Sequence, residues 1–207
     1  MLDTQKLSQA QLDEIQNSMN SLAAQKVEDY LSTLRNLTVV LLCSSLEITL
    51  NEVLDTVLQT EPRILIGAAA EKSLTLGEIV DAGDYESIFT RIREKQVKLF
   101  GWKEIDEKIS FLEKHAGVTS DDIFDWGECG EETQELLKNC DLAELKRIFD
   151  KRHSIIHHGK RPFEDDSEVE RILEFFQKLI WNLCFAASKK FRIPIDTLGF
   201  YPTWMHK

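Results

Sequence analysis

The sequence predicts an all-α protein built as a single domain. Apolar residues recur at three- and four-residue steps through most of its 207 residues, and no segment reads convincingly as a strand. Only four prolines occur, at 62, 162, 194 and 202, so long helices can run between them. No internal repeat or low-complexity tract appears.

The elements follow in order. Residues 1–33 hold an N-terminal helix, amphipathic through Leu12, Ile15, Met19 and Leu22. A second helix, from about Leu34 to Leu58, is expected to be heavily buried; Cys43, Leu50, Leu54 and Val57 form its stripe. Pro62 and Gly67 mark a break, and Thr75-Leu76-Gly77-Glu78 has the form of a capping box. Asp84 to Leu99 and Trp102 to His115 read as amphipathic helices, and Gly117 to Gly130 as an irregular acidic connection. A further helix opens at Asp141-Leu142-Ala143-Glu144 and stops at Gly159, with Pro162 forbidding continuation. The last long helix is Asp165 to Phe191. Residues 194–207 form an aromatic tail. Phe191, Phe200, Tyr201 and Trp204 are expected to dock on the bundle, because exposing them would leave a sticky patch.

Composition narrows the function classes. Apolar residues make up 43%, enough for an ordinary core and too many for a disordered chain. With 25 Lys and Arg against 36 Asp and Glu, the net charge is −11, so any nucleic-acid site must be local. No signal sequence is visible, and the apolar run Thr38 to Leu46 is too short to span a bilayer; a cytoplasmic protein is expected, in which the Asn36-Leu37-Thr38 sequon has no meaning. Cys43, Cys129, Cys140 and Cys184 are scattered and read as reduced, mostly core thiols.

The chemistry concentrates in Arg152-His153-Ser154-Ile155-Ile156-His157-His158-Gly159, where three of the five histidines lie beside an arginine. Histidine titrates near neutral pH, which suits proton transfer next to an anionic substrate. At about 100° per residue, Leu142, Leu145, Ile148, Phe149, Ile155 and Ile156 share one helix face with Arg152 in its middle. A lone cation there is costly unless it meets a carboxylate, lines a wet cleft or faces a partner. Glu47 interrupts the apolar stripe of the second helix in the same way, with Asn51 one turn further on, so a Glu47–Arg152 pair resolves both anomalies. His153 and His157, four apart, share a border of the face, whereas His158 is expected to point away. Lys146, Arg147, Lys151, Arg152, Lys160 and Arg161 make a local basic island. The competing readings are a purely structural ion pair, helix-capping histidines, and a His-x-x-x-His metal pair. No His-Glu-x-x-His accompanies that pair, and Cys129 and Cys140 lie outside usual ligand spacing.

The phrase from Phe149 to Gly159, with the second helix as support, resembles the signature of the HEPN ribonucleases, in the branch named RiboL-PSP or a near neighbour. The resemblance covers about a sixth of the chain and leaves the middle, from Thr60 to Cys140, unmatched. It implies a bundle of four to five core helices with additional short ones, acting as a homodimer in which two motifs face one cleft. It implies metal-independent RNA cleavage through 2′-hydroxyl attack, with no cofactor, by a toxin or phage-defence effector, alongside a possible antitoxin or other defence-system protein. His157 would then be the general acid/base, Arg152 the phosphate ligand and His153 the polar assistant, with Glu47 and Asn51 in support and Lys151, Lys160 and Arg161 contacting RNA. A catalytically silent module that binds RNA or a protein partner is the alternative.

Overall fold

The structure, a computed structural model, describes residues 9–68, 74–127, 129–163 and 165–194, and among these every regular element is helical. The chain is organised around α1 (Gln9–Thr60), 52 residues long and about 78 Å from end to end at the α-helical rise. The two N-terminal helices expected from the sequence are one. No glycine or proline precedes Pro62, so nothing between the two apolar stripes breaks the backbone ladder.

The two halves of α1 have different surroundings. Its second half supplies Val39, Cys43, Leu46, Leu50, Val53, Leu54, Val57 and Leu58 to the core, all fully buried. This half packs against α4 (Tyr85–Gly101), α8 (Leu142–His158) and α9 (Asp166–Phe191). Phe175, Phe176, Leu179, Leu183 and Cys184 of α9 fill the opposite wall of that core. In the first half, residues 10–31 are all exposed, including the apolar face of Leu12, Ile15, Met19 and Leu22. By length and composition α1 could cross a membrane, with a mean hydropathy of 1.6 over 18 residues, a third of them buried inside the protein.

Shorter elements close the bundle: α2 (Arg63–Ala68), α3 (Leu76–Ala82), α5 (Ile105–Phe111), α6 (Ser120–Ile123) and α7 (Glu131–Leu137). The Thr75–Glu78 capping box opens α3, with Thr75 N–H donating to Glu78 Oε2 at 2.7 Å. A π-helical turn over residues 112–116 extends α5 and ends at Gly117, whose φ of 61° lies in the left-handed region. The acidic connection read as irregular contains α6, and α7 follows directly after it. Each buries one apolar side chain, Ile123 or Leu137, too little periodicity to register in the sequence. Of the aromatic residues expected to dock, Phe191 packs against the core, and the others fall on residues 195–207, outside the described residues.

The segment that follows α8 is pinned to α1 by one side chain. Asn36, 2% exposed, donates from Nδ2 to the carbonyl of Phe163 at 3.0 Å and accepts the Phe163 N–H at 3.2 Å. Its amide is thus consumed inside the protein, which removes the sequon from glycosylation as well. Phe163 is fully buried, so both of its backbone groups depend on that amide. Asn36→Ala is expected to destabilise the fold by about 2 kcal/mol through these orphaned groups, measured as a lowered urea midpoint. Asn36→Asp should recover only the contact to the Phe163 N–H.

Candidate functional site

The motif helix α8 is well terminated at both ends. Asp141 caps its start, accepting the Glu144 N–H at 2.9 Å. Gly159, with φ 61°, ends it; Gly159 N–H donates to Ile155 O at 3.1 Å and Lys160 N–H to Ser154 O at 3.3 Å. Leu145 and Ile148 anchor the helix in the core. Glu144 ties it to α9 through a hydrogen bond from Arg171, and Arg147 of α8 itself donates to the same carboxylate. Burial alone would raise the Glu144 carboxyl, but the two guanidiniums outweigh it and hold it below the ordinary carboxylate range.

The expected contact between α1 and α8 is present: Arg152 Nη2 lies 2.9 Å from Glu47 Oε2. A third group joins it. Lys108 of α5, 1% exposed, places Nζ 3.6 Å from Glu47 Oε1. One carboxylate therefore serves two cations, and the cluster carries an excess positive charge. Two polar atoms in it are buried with no hydrogen-bond partner, Arg152 Nε and Asn51 Oδ1. The rings of Phe149, 5.6 Å from Arg152 Cζ, and Phe100, 5.9 Å from Lys108 Nζ, wall the cluster. Sequence reasoning missed Lys108. Its signal is the one that singled out Arg152 and Glu47: Lys108 interrupts an apolar stripe, here Ile105, Ile109 and Leu112.

The histidines form the second part of the site. His153, His157 and His158 are all exposed. The His153 and His157 rings are 4.3 Å apart, and those of His153 and His158 are 6.0 Å apart. The expectation that His158 points away is thus corrected. Helical side chains lean toward the N-terminus, so His158 at the last turn reaches back over the turn that holds His153. Arg152 and His157 are separated by about 140° around the helix axis. Arg152 faces α1, and the imidazoles face solvent.

The basic island is mostly neutralised by neighbours that sequence spacing could not show. Lys146 meets Asp106 at 2.6 Å, Arg147 meets Glu144 and Glu168, and Lys151 meets Glu168 at 3.0 Å while lying 4.5 Å over Phe163. Arg161 lies 3.6 Å from Asp29 on the surface. Among the described residues Lys160 has no carboxylate within ion-pair distance. Burial pushes the Cys43 and Cys184 thiols up to about 12, which leaves both protonated. Among the described residues no three of His, Cys, Asp and Glu converge on one point.

No family model, curated protein or solved structure matches this chain.

Two predictions follow the geometry. Glu47→Ala leaves Arg152 and the buried Lys108 without a counter-charge and is expected to destabilise by about 2–4 kcal/mol. Adding Lys108→Met should recover part of that loss, read as a coupling energy in a double-mutant cycle of urea midpoints. For Glu144, the folded carboxyl is lower than the unfolded one. Its contribution is complete above the ordinary carboxylate range and is lost as pH falls through the lowered folded value. Acid unfolding followed by circular dichroism should therefore shift to higher pH in Glu144→Gln.

Proposed function

We propose that the protein is a metal-independent endoribonuclease of the HEPN type, working in the cytoplasm as a toxin or phage-defence effector. The observation that carries this reading is the partial engagement of Arg152. Glu47 divides its carboxylate between Arg152 and Lys108, so the guanidinium is oriented and still has donors to give, on a helix whose next turn presents two adjacent imidazoles. A scissile phosphodiester asks for that combination: a fork of donors for the non-bridging oxygens and groups able to move protons near neutral pH.

The chemistry runs as follows. The ribose 2′-oxygen attacks phosphorus while an imidazole takes its proton. The 5′-oxygen leaves with a proton from a second imidazole, giving a 2′,3′-cyclic phosphate and a free 5′-hydroxyl. His157 is the principal acid/base and His153 its assistant. Arg152, with Lys108 behind it, stabilises the negative charge that grows on the pentacoordinate phosphorus. Glu47 and Asn51 position Arg152, and Lys160 and Arg161 meet the RNA backbone outside the cleft. Because Arg152 is turned to Glu47 of α1 while the imidazoles face solvent, a complete site draws on two copies of the motif, as the HEPN resemblance implies.

The alternative is a silent module that binds RNA or a protein partner. It is favoured by the net charge of −11 and by the ion pairs that occupy most of the basic island. Incubation with total RNA separates the two. The proposed enzyme gives cyclic-phosphate ends in the presence of chelator, and His157→Ala or Arg152→Ala lowers the rate at least a hundredfold while the melting temperature of His157→Ala is unchanged. His158→Ala should cost less, since its ring lies outside the closer pair. Binding without cleavage by the unaltered protein would leave the silent module.

A further inference from the structure

Most of the large apolar side chains left exposed among the described residues lie on the outer face of α1. Eleven large apolar side chains between Leu12 and Ile48 are exposed, among them Met19 at 65%, Tyr30 at 71% and Leu41 at 67%. At about 100° per residue they fall in one stripe, nearly opposite the core-facing residues Val39, Cys43, Leu46 and Leu50. The steps from Leu12 to Leu22 are three, four and three; those from Val27 to Leu41 are three, four, three and four. This is the spacing of a helix that packs along another helix.

We infer that this stripe binds the same stripe of a second copy of the chain, in antiparallel orientation about Tyr30. Three observations choose the occupant. Tyr30 is the midpoint between Leu12 and Ile48, so an antiparallel pair lays the free arm of each protomer, Leu12 to Leu22, over the open stretch Leu37 to Ile48 of the other. Eleven half-exposed apolar side chains per protomer, with their polar flanks, reach the roughly 800 Å² per partner that a stable interface needs. Lys26 is the charged residue nearest the middle of the stripe. A parallel pair would set it against its own copy, whereas the antiparallel pair leaves its ammonium free to reach solvent along its stem. An anionic membrane surface fits worse. The flanks carry Asp13, Asp29 and Glu47, and Arg35 is already held by Glu28 at 2.6 Å and Asp166 at 2.5 Å. The seam concerns association alone and stands whether or not the protein cuts RNA.

Sedimentation of the full chain at micromolar concentration is expected to show a dimer. Met19→Asp and Leu41→Asp, both on exposed positions, should each weaken it more than tenfold while the helical bundle still melts cooperatively. In a Cys129→Ser background, Tyr30→Cys should form an intermolecular disulfide on mild oxidation and Leu12→Cys should not, a readout that holds even if the aspartate variants fold poorly. A monomeric unaltered protein overturns the inference. So does equal cross-linking of Tyr30→Cys and Leu12→Cys, which marks a parallel pair. A monomer that co-sediments with phosphatidylglycerol vesicles, or one found only in a complex with a different protein, overturns it in favour of that occupant. Loss of dimer without loss of RNA cleavage, or the reverse, separates this seam from the ribonuclease reading.

Discussion

The Glu47 carboxylate is the point on which three helices agree. It lies on α1, one oxygen toward Lys108 of α5 and the other toward Arg152 of α8. An ammonium with 1% exposure is tolerable only beside an anion, so Lys108 requires Glu47. Arg152, in turn, is oriented by what Lys108 leaves of that carboxylate. The arrangement resembles a clamp set slightly short of charge balance: two cations, one anion, and a buried guanidinium nitrogen still without an acceptor. Structural ion pairs usually close their accounts. One that keeps an unpaired guanidinium N–H and an excess of positive charge favours an anion electrostatically.

Around that point, α8 is held with unusual thoroughness for a helix whose last turn is exposed. Asp141 caps its start, Gly159 ends it without backbone strain, and Glu144 and Glu168 lash it to α9. Asn36 then catches Phe163 a few residues beyond. Rigid support on the buried side with free imidazoles on the other is what proton transfer at a fixed phosphate would need, because small misplacements of a reacting group cost rate steeply.

The same network explains the contrast between local charge and global charge. The basic residues of α8 are mostly spent on holding the helix, not on display. A net charge of −11 gives no broad attraction for nucleic acid; any such affinity would have to come from a narrow place where a few donors remain unpaired. The long arm of α1 has the complementary character, apolar along one side and sparsely charged along its flanks, which suits contact with another protein surface more than contact with nucleic acid.

Much of this was legible in the chain itself. Three- and four-residue periodicity, Thr75 with Glu78, Asp141 and Gly159 determined the helices and several of their ends, because capping and backbone geometry are local physics. The pairing of Glu47 with Arg152 could also be read, since a charge on an apolar stripe demands an opposite charge on another. Tertiary structure decided the rest. That α1 is half buried and half bare depends on where the bundle ends, which no local pattern states. That Lys108 shares Glu47, that His158 folds back toward His153, and that Glu168 and Asp106 silence the basic island all depend on side chains brought together from distant positions. Sequence determines which groups are anomalous; only packing decides which anomaly answers which.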